Sequence, residues 1–156
     1  MGGDEQYLNL SLEYEIIPAM YKENTTYRAT RHAKFLLCYH FIWCPKYRRG
    51  ILDDPAVVKA ARSAIEDAAT SANSEVIAIE IMPDHVHLSL SALPASSPAD
   101  LAARIKSRSG ARIAALFPEL KSRGKIWSRS YFCTTTGSVS TEVIRNYIET
   151  QWSRIK

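Results

Sequence analysis

The chain has 156 residues, 46% hydrophobic and 23% charged, and a formal net charge of +4. That length supports one domain with a real core, and the composition is that of an ordinary globular protein, which excludes a disordered, collagenous or disulfide-dense chain. No apolar run approaches the ~20 residues of a spanning helix, and Met1-Gly2-Gly3-Asp4-Glu5-Gln6-Tyr7 lacks the basic and apolar regions of a secretory signal. The expected location is the cytoplasm, with no membrane partner. Cys38, Cys44 and Cys133 form no CxxC pair, and their odd number argues against a complete disulfide framework. They read as reduced, half-buried strand residues, with a zinc site shared with His85 and His87 as the alternative.

Residues 1–24 read as an N-terminal extension of unknown role, with Asp4, Glu5, Glu13, Glu15 and Glu23 against Lys22 and an interrupting Pro18. Residues 25–156 form the remaining domain. A strand is expected over 35–44, where His40 alternates with Leu36, Cys38 and Ile42 and reads as a hydrogen-bonded structural histidine rather than a ligand. Lys46, Arg48 and Arg49 then surround Tyr47, a pattern that suits a phosphate backbone and an unpaired base. A helix is expected at about 55–72 and a β-branched strand at 75–82, with Ile77, Ile79 and Ile81 on one face.

Pro83-Asp84 supplies a tight turn into a strand over 85–91. If those two residues are the whole loop, Met82 faces His85, Ile81 faces Val86 and Glu80 faces His87. On a strand, His85 and His87 point the same way while Val86, Leu88 and Leu90 point the other, so the pair is half of a metal site on a rigid support. Glu80 then serves as an outer-shell acceptor fixing the His87 tautomer, or as an occasional ligand. The bland alternative is two histidines on the solvent side of a half-buried strand.

Ser97 is placed to cap a helix over about 98–117. Arg104, Arg108 and Arg112 recur at four-residue spacing and share a face of it, while Lys106 points elsewhere. From Ala99 to Ser130 eight basic residues stand against Asp100 and Glu119, a local balance of +6 that suits DNA phosphates, with a merely solvated face as the alternative. A strand at about 126–135 follows. The last element is a helix at about 141–153, on which Tyr147 and Gln151 are one turn apart, so that a phenol and an amide oxygen can approach one metal ion together. The order β-α-β-β-α-β plus a final helix gives an α+β fold: a ferredoxin-like (split β-α-β, RRM-like) antiparallel sheet with an additional C-terminal helix carrying the tyrosine. Its first and third strands are expected to be central neighbours, leaving one sheet face free for nucleic acid.

Five stretches, Tyr39 to Arg49, Met82 to Leu88, Lys106 to Ser109, Trp127 to Phe132 and Ile144 to Gln151, stand in the order and spacing of a known family. From about Thr25 to its end the chain resembles the single-tyrosine HUH-endonuclease transposases of the smallest insertion sequences, the TnpA, IS200-like type. The resemblance implies that Tyr147 attacks a DNA phosphate and that His85, His87 and Gln151 bind a divalent ion, Mg²⁺ or Mn²⁺. It further implies a DNA transposase that cleaves and rejoins single-stranded DNA through a 5′-phosphotyrosine, acts as a homodimer and takes DNA with hairpins at the element's ends. Two imidazoles and an amide are neutral ligands that leave the ion its full charge, and imidazole leans towards manganese. Competing readings are a domesticated repeat-associated tyrosine transposase, a rolling-circle replication initiator or relaxase and, from another class, a non-catalytic ferredoxin-like nucleic-acid-binding module.

Overall fold

In a computed structural model of the chain, residues 27–48 and 50–135 are described. The extension 1–24, Arg49 and the expected C-terminal helix with Tyr147 and Gln151 lie outside the described residues.

Alternating apolar side chains build a four-stranded antiparallel sheet from β3 (Leu37–Trp43), β4 (Glu75–Ile81), β5 (Val86–Ala92) and β6 (Phe132–Thr135), in the order β4-β5-β3-β6. The small ladder β1 (Arg28–Ala29) with β2 (Lys34–Phe35) precedes it. The first and third strands of the main sheet are therefore central neighbours, and two helices cross between strands, giving the ferredoxin-like α+β arrangement. Helix α1 (Pro55–Ser71) starts where Asp54 accepts a hydrogen bond from the Ala56 amide at 2.9 Å, with Pro55 pre-set at the first helical position. It ends where Asn73 takes a positive φ of 57° and the Ser74 amide reaches back to the Ala69 carbonyl, a closure that asparagine tolerates. Helix α2 (Pro98–Leu116) starts at Ser97, whose hydroxyl accepts from the Asp100 amide at 3.1 Å, as its sequence position indicates.

Both helices cover one face of the sheet. Phe41, Trp43, Ile79, Val86, Leu88 and Leu90 meet Ala61, Ile65 and Ala68 of α1 and Leu101, Ile105 and Ile113 of α2 in one cluster. Burying each large aliphatic side chain contributes roughly 1.5–3 kcal/mol, so Leu88→Ala would cost about 2–5 kcal/mol once the cavity is counted. Trp127 closes this core: it packs edge-on against Trp43 at 5.9 Å and donates its indole N–H to the Ser109 hydroxyl at 2.9 Å. Gly110 makes room for it, since a Cβ there would lie 3.3 Å from Trp127 Cδ1.

Three expectations need correction. The register of β4 against β5 shifts between Val76 and Ala78, so Val76 rather than Ile77 joins Ile79 and Ile81 against the core. A bulge inserts one residue and inverts the alternation before it. The strand expected at 126–135 is shorter, because Trp127 leaves the ladder for a single bridge to Pro45 and only Phe132–Thr135 pairs with β3. The second sheet face is not open: Cys38, His40, Ile42, His87, Ser89 and Ser91 are all buried. Together they line a second interior surface rather than a bare platform. Among the described residues no helix is long and apolar enough to cross a membrane.

Candidate metal centre and nucleic-acid interface

The turn at Pro83-Asp84 is the whole loop. The Met82 amide donates to the His85 carbonyl at 2.8 Å, Ile81 pairs with Val86 and Glu80 with His87, which is the register that the two-residue loop demands. His85 and His87 consequently share a face, and their Nε2 atoms lie 3.0 Å apart with the rings nearly perpendicular.

The far nitrogens of both rings are held. His85 Nδ1 donates to Asp84 Oδ1 at 2.6 Å, and His87 Nδ1 lies 3.1 Å from His40 Nε2 on the neighbouring strand. With Nδ1 protonated on both rings, the two Nε2 lone pairs converge. In that tautomer two imine nitrogens so close call for a shared positive charge, a proton or a cation, whereas the opposite tautomer of His87 makes a neutral relay from His40 Nε2–H through His87 to His85 Nε2. The spacing also equals the edge of an octahedron whose ligands sit ~2.1 Å from a central ion. His85 and His87 are each only 2% exposed, so an ion held between them would be shielded from water. The pair thus fits a six-coordinate divalent ion, with Gln151 and Tyr147 outside the described residues.

His40 stays neutral over the working range: burial, and then the positive charge that His87 would carry, push it down to about 3. A neutral imidazole keeps one lone pair, which is what the His87 N–H needs. Glu80 stands opposite His87 in the ladder, but the neighbour of His87 Nδ1 is His40, so the tautomer-fixing contact falls to His40. The acceptor of His85 is Asp84, which the sequence reading used only as a turn former. Its position directly before the first histidine was the available signal. Among the described residues no group of three or more His, Cys, Asp or Glu is placed to hold a metal. Burial pushes the Cys133 thiol up to about 11, which disfavours its thiolate.

The basic candidates separate into two regions. Arg104, Arg108 and Arg112 do share an exposed face of α2, but α2 lies on the helical side of the sheet, opposite the histidines. Arg104 is paired with Asp100 at 3.0 Å, and Arg112 with Asp67 of α1, close to the Ser63 hydroxyl. Lys106 does point elsewhere: it donates to the Ser130 carbonyl at 2.8 Å, lies over the Tyr131 ring, and is held down to about 8 by burial, an effect the Cys44 thiol opposes. Lys46 and Tyr47 leave the sheet past the end of β3, at the same end as the start of β5 and His85, because Trp43 pairs with Val86. The Arg48 side chain and all of Arg49 lie outside the described residues.

Comparison with known proteins gives the chain's family. The family described as "Transposase IS200 like" matches residues 33–151. The chain is 35% identical over 143 residues to the ISDra2 transposase TnpA of Deinococcus radiodurans, covering 90% of this chain and 97% of that protein. It is 26% identical over 127 residues to the transposase for insertion sequence element IS200 of Salmonella typhi, covering 80% and 82% respectively. The crystal structure of a candidate transposase from Deinococcus radiodurans R1 superposes with a TM-score of 0.74 at 35% identity, covering 80% of this chain and 97% of that one.

Proposed function

Because the chain belongs to the IS200-like transposases and is a DNA-processing enzyme of that family, we propose that it cleaves and rejoins single-stranded DNA through Tyr147, with a divalent ion held by His85, His87 and Gln151. The observation that carries this reading is the histidine pair, two Nε2 atoms 3.0 Å apart with both Nδ1 atoms engaged. Mg²⁺ or Mn²⁺ bound there would offset the charge of a scissile phosphate and polarise its phosphorus.

The chain's own residues do the rest. Asp84 and His40 hold the two rings in the tautomer that presents Nε2. Tyr147 supplies the nucleophile: its oxygen bonds to phosphorus, the bond to the 3′ oxygen breaks, and that oxygen leaves as a 3′-hydroxyl after taking up a proton. The strand's 5′ end stays on the tyrosine, and attack by another 3′-hydroxyl reverses the exchange without ATP, since the number of phosphoester bonds is unchanged. One tyrosine serves one transfer, so two successive transfers call for two subunits, hence a homodimer. Cytoplasmic DNA that exposes single strands and folds hairpins at an element's ends is the substrate that this chemistry suits.

Incubating labelled single-stranded hairpin DNA with the protein and Mn²⁺ tests the reading. A covalent protein–DNA adduct is expected for the parent and none for Tyr147→Phe, which removes only the phenolic oxygen. An adduct that persists in Tyr147→Phe moves the nucleophile elsewhere, with Tyr131 the next candidate.

A further inference from the structure

Tyr47 has φ 61° and ψ 21°, the left-handed region that bulky side chains rarely occupy. A tyrosine held there usually has a packing reason, but Tyr47 is 52% exposed. Its described aromatic contact is with a cation: Lys46 Nζ lies 5.2 Å from the ring centroid. An exposed aromatic ring in a strained backbone, beside a positive charge, is the kind of outlier that points to a ligand.

The surroundings give the ligand's chemistry. The Lys46 amide donates to the Ile126 carbonyl at 2.8 Å, which ties the 46–48 turn to the segment 118–126. There Gly124 has φ 96°, and a Cβ built on it would sit 3.4 Å from Lys46 Nζ, so a glycine lets the lysine cross close to the backbone. Lys121 and Lys125, both exposed, flank that glycine. Two segments far apart in sequence thus bring one exposed ring and Lys46 beside a glycine that Lys121 and Lys125 flank in sequence, at the end of the sheet where His85 also lies. A π-face among cations fits single-stranded nucleic acid, whose bases stack on aromatic rings while its phosphates take the charges.

We infer that Tyr47 is a stacking platform for an unpaired base of the DNA strand engaged at the histidine pair, with Lys46, Lys121 and Lys125 taking the flanking phosphates. This rests on the single-strand reading of the preceding section. The strained backbone is what aims the ring outward, so the position trades stability for recognition, and glycine there should separate the two.

The test is fluorescence anisotropy on a labelled oligothymidylate of roughly 20 nucleotides across a range of salt, without metal, together with thermal unfolding. Tyr47→Ala is expected to weaken binding about 5- to 150-fold, the equivalent of one lost stacked base, with the salt slope unchanged because stacking releases no counterion. Tyr47→Phe retains the parent affinity. Tyr47→Gly weakens binding like Tyr47→Ala but raises the thermal midpoint, because glycine enters the left-handed region without strain. Parent-like affinity in Tyr47→Ala, a shallower salt slope, or a lowered midpoint in Tyr47→Gly overturns the inference. If the parent fails to bind oligothymidylate, the single-strand reading itself falls, whereas parent binding that Tyr47 variants leave untouched defeats only the stacking role.

Discussion

His40 Nε2 lies 3.1 Å from His87 Nδ1, across the pair of central strands, and this contact decides which nitrogen of His87 faces His85. If His40 accepts, His87 carries its proton on Nδ1 and presents a bare Nε2. Outer contacts of this kind typically change metal affinity by about 10–100-fold. His40→Leu is therefore expected to weaken Mn²⁺ binding by that order in calorimetry, and His40→Gln, whose amide oxygen still accepts, to weaken it less. Nitrogen NMR of His87 in the metal-free protein gives an independent reading: Nδ1 protonated in the parent, a tautomer mixture in His40→Leu. Equal affinity and an unchanged tautomer in His40→Leu would reduce His40 to a packing residue.

Asp84 does the corresponding work for His85, at 2.6 Å and almost out of solvent. Its carboxylate is both an acceptor and a negative charge, and the two roles separate by substitution. Asp84→Asn keeps an oxygen that accepts from Nδ1 and is expected to lose less Mn²⁺ affinity than Asp84→Ala, which loses both. Equal losses in the two variants would assign the whole effect to charge.

The histidine pair, the two-residue turn and its register were legible because period-two alternation and a Pro-Asp dipeptide are local signals. Helix α2 was legible for the same reason, since Ser97 and Pro98 mark its start. What escaped is non-local. The link from His40 to His87 joins residues on different strands, and nothing in either segment alone says that two imidazoles meet. The bulge at Ile77 leaves no mark in a run of β-branched residues, where either alternation fits. Burial of the second sheet face depends on what packs over Cys38, His40 and Ile42, which their own alternation does not encode. Tyr47 was visible as an aromatic among basic residues, but a positive φ at a tyrosine has no signal in its own side chain.

The arginines of α2 differ in what already holds them. Arg112 is engaged with Asp67 and Arg104 with Asp100, while Arg108 is exposed on the same face. A phosphate contact by Arg108 should lower the salt slope of single-strand binding by roughly 0.7 when it is lost in Arg108→Ala. Arg112→Ala should leave the slope alone and cost at most about 1 kcal/mol of stability, the range of exposed ion pairs. A parent-like slope in Arg108→Ala would make this helix face a solvated one and place the phosphate contacts at Lys46, Lys121 and Lys125.

Lys106 supplies a pH signature that needs no DNA. Burial between α2 and the start of β6 holds it down to about 8, against 10.5 for a free lysine. Below pH 8 it is charged in both the folded and unfolded chain, and the folded state bears the full cost of burying the charge. Between 8 and 10.5 the unfolded chain binds more protons than the folded one, so this group's contribution to stability rises with pH and is complete above 10.5. Other titrating groups share that range, so the comparison is with Lys106→Met, which fills similar space and does not titrate. The stability of the parent relative to Lys106→Met, from urea midpoints at matched pH, is expected to climb from pH 8 to pH 10.5 and to be flat below it. A difference that stays constant over the whole range would mean that the Ser130 carbonyl and the Tyr131 ring compensate the buried charge fully, and that Lys106 titrates as it would in water.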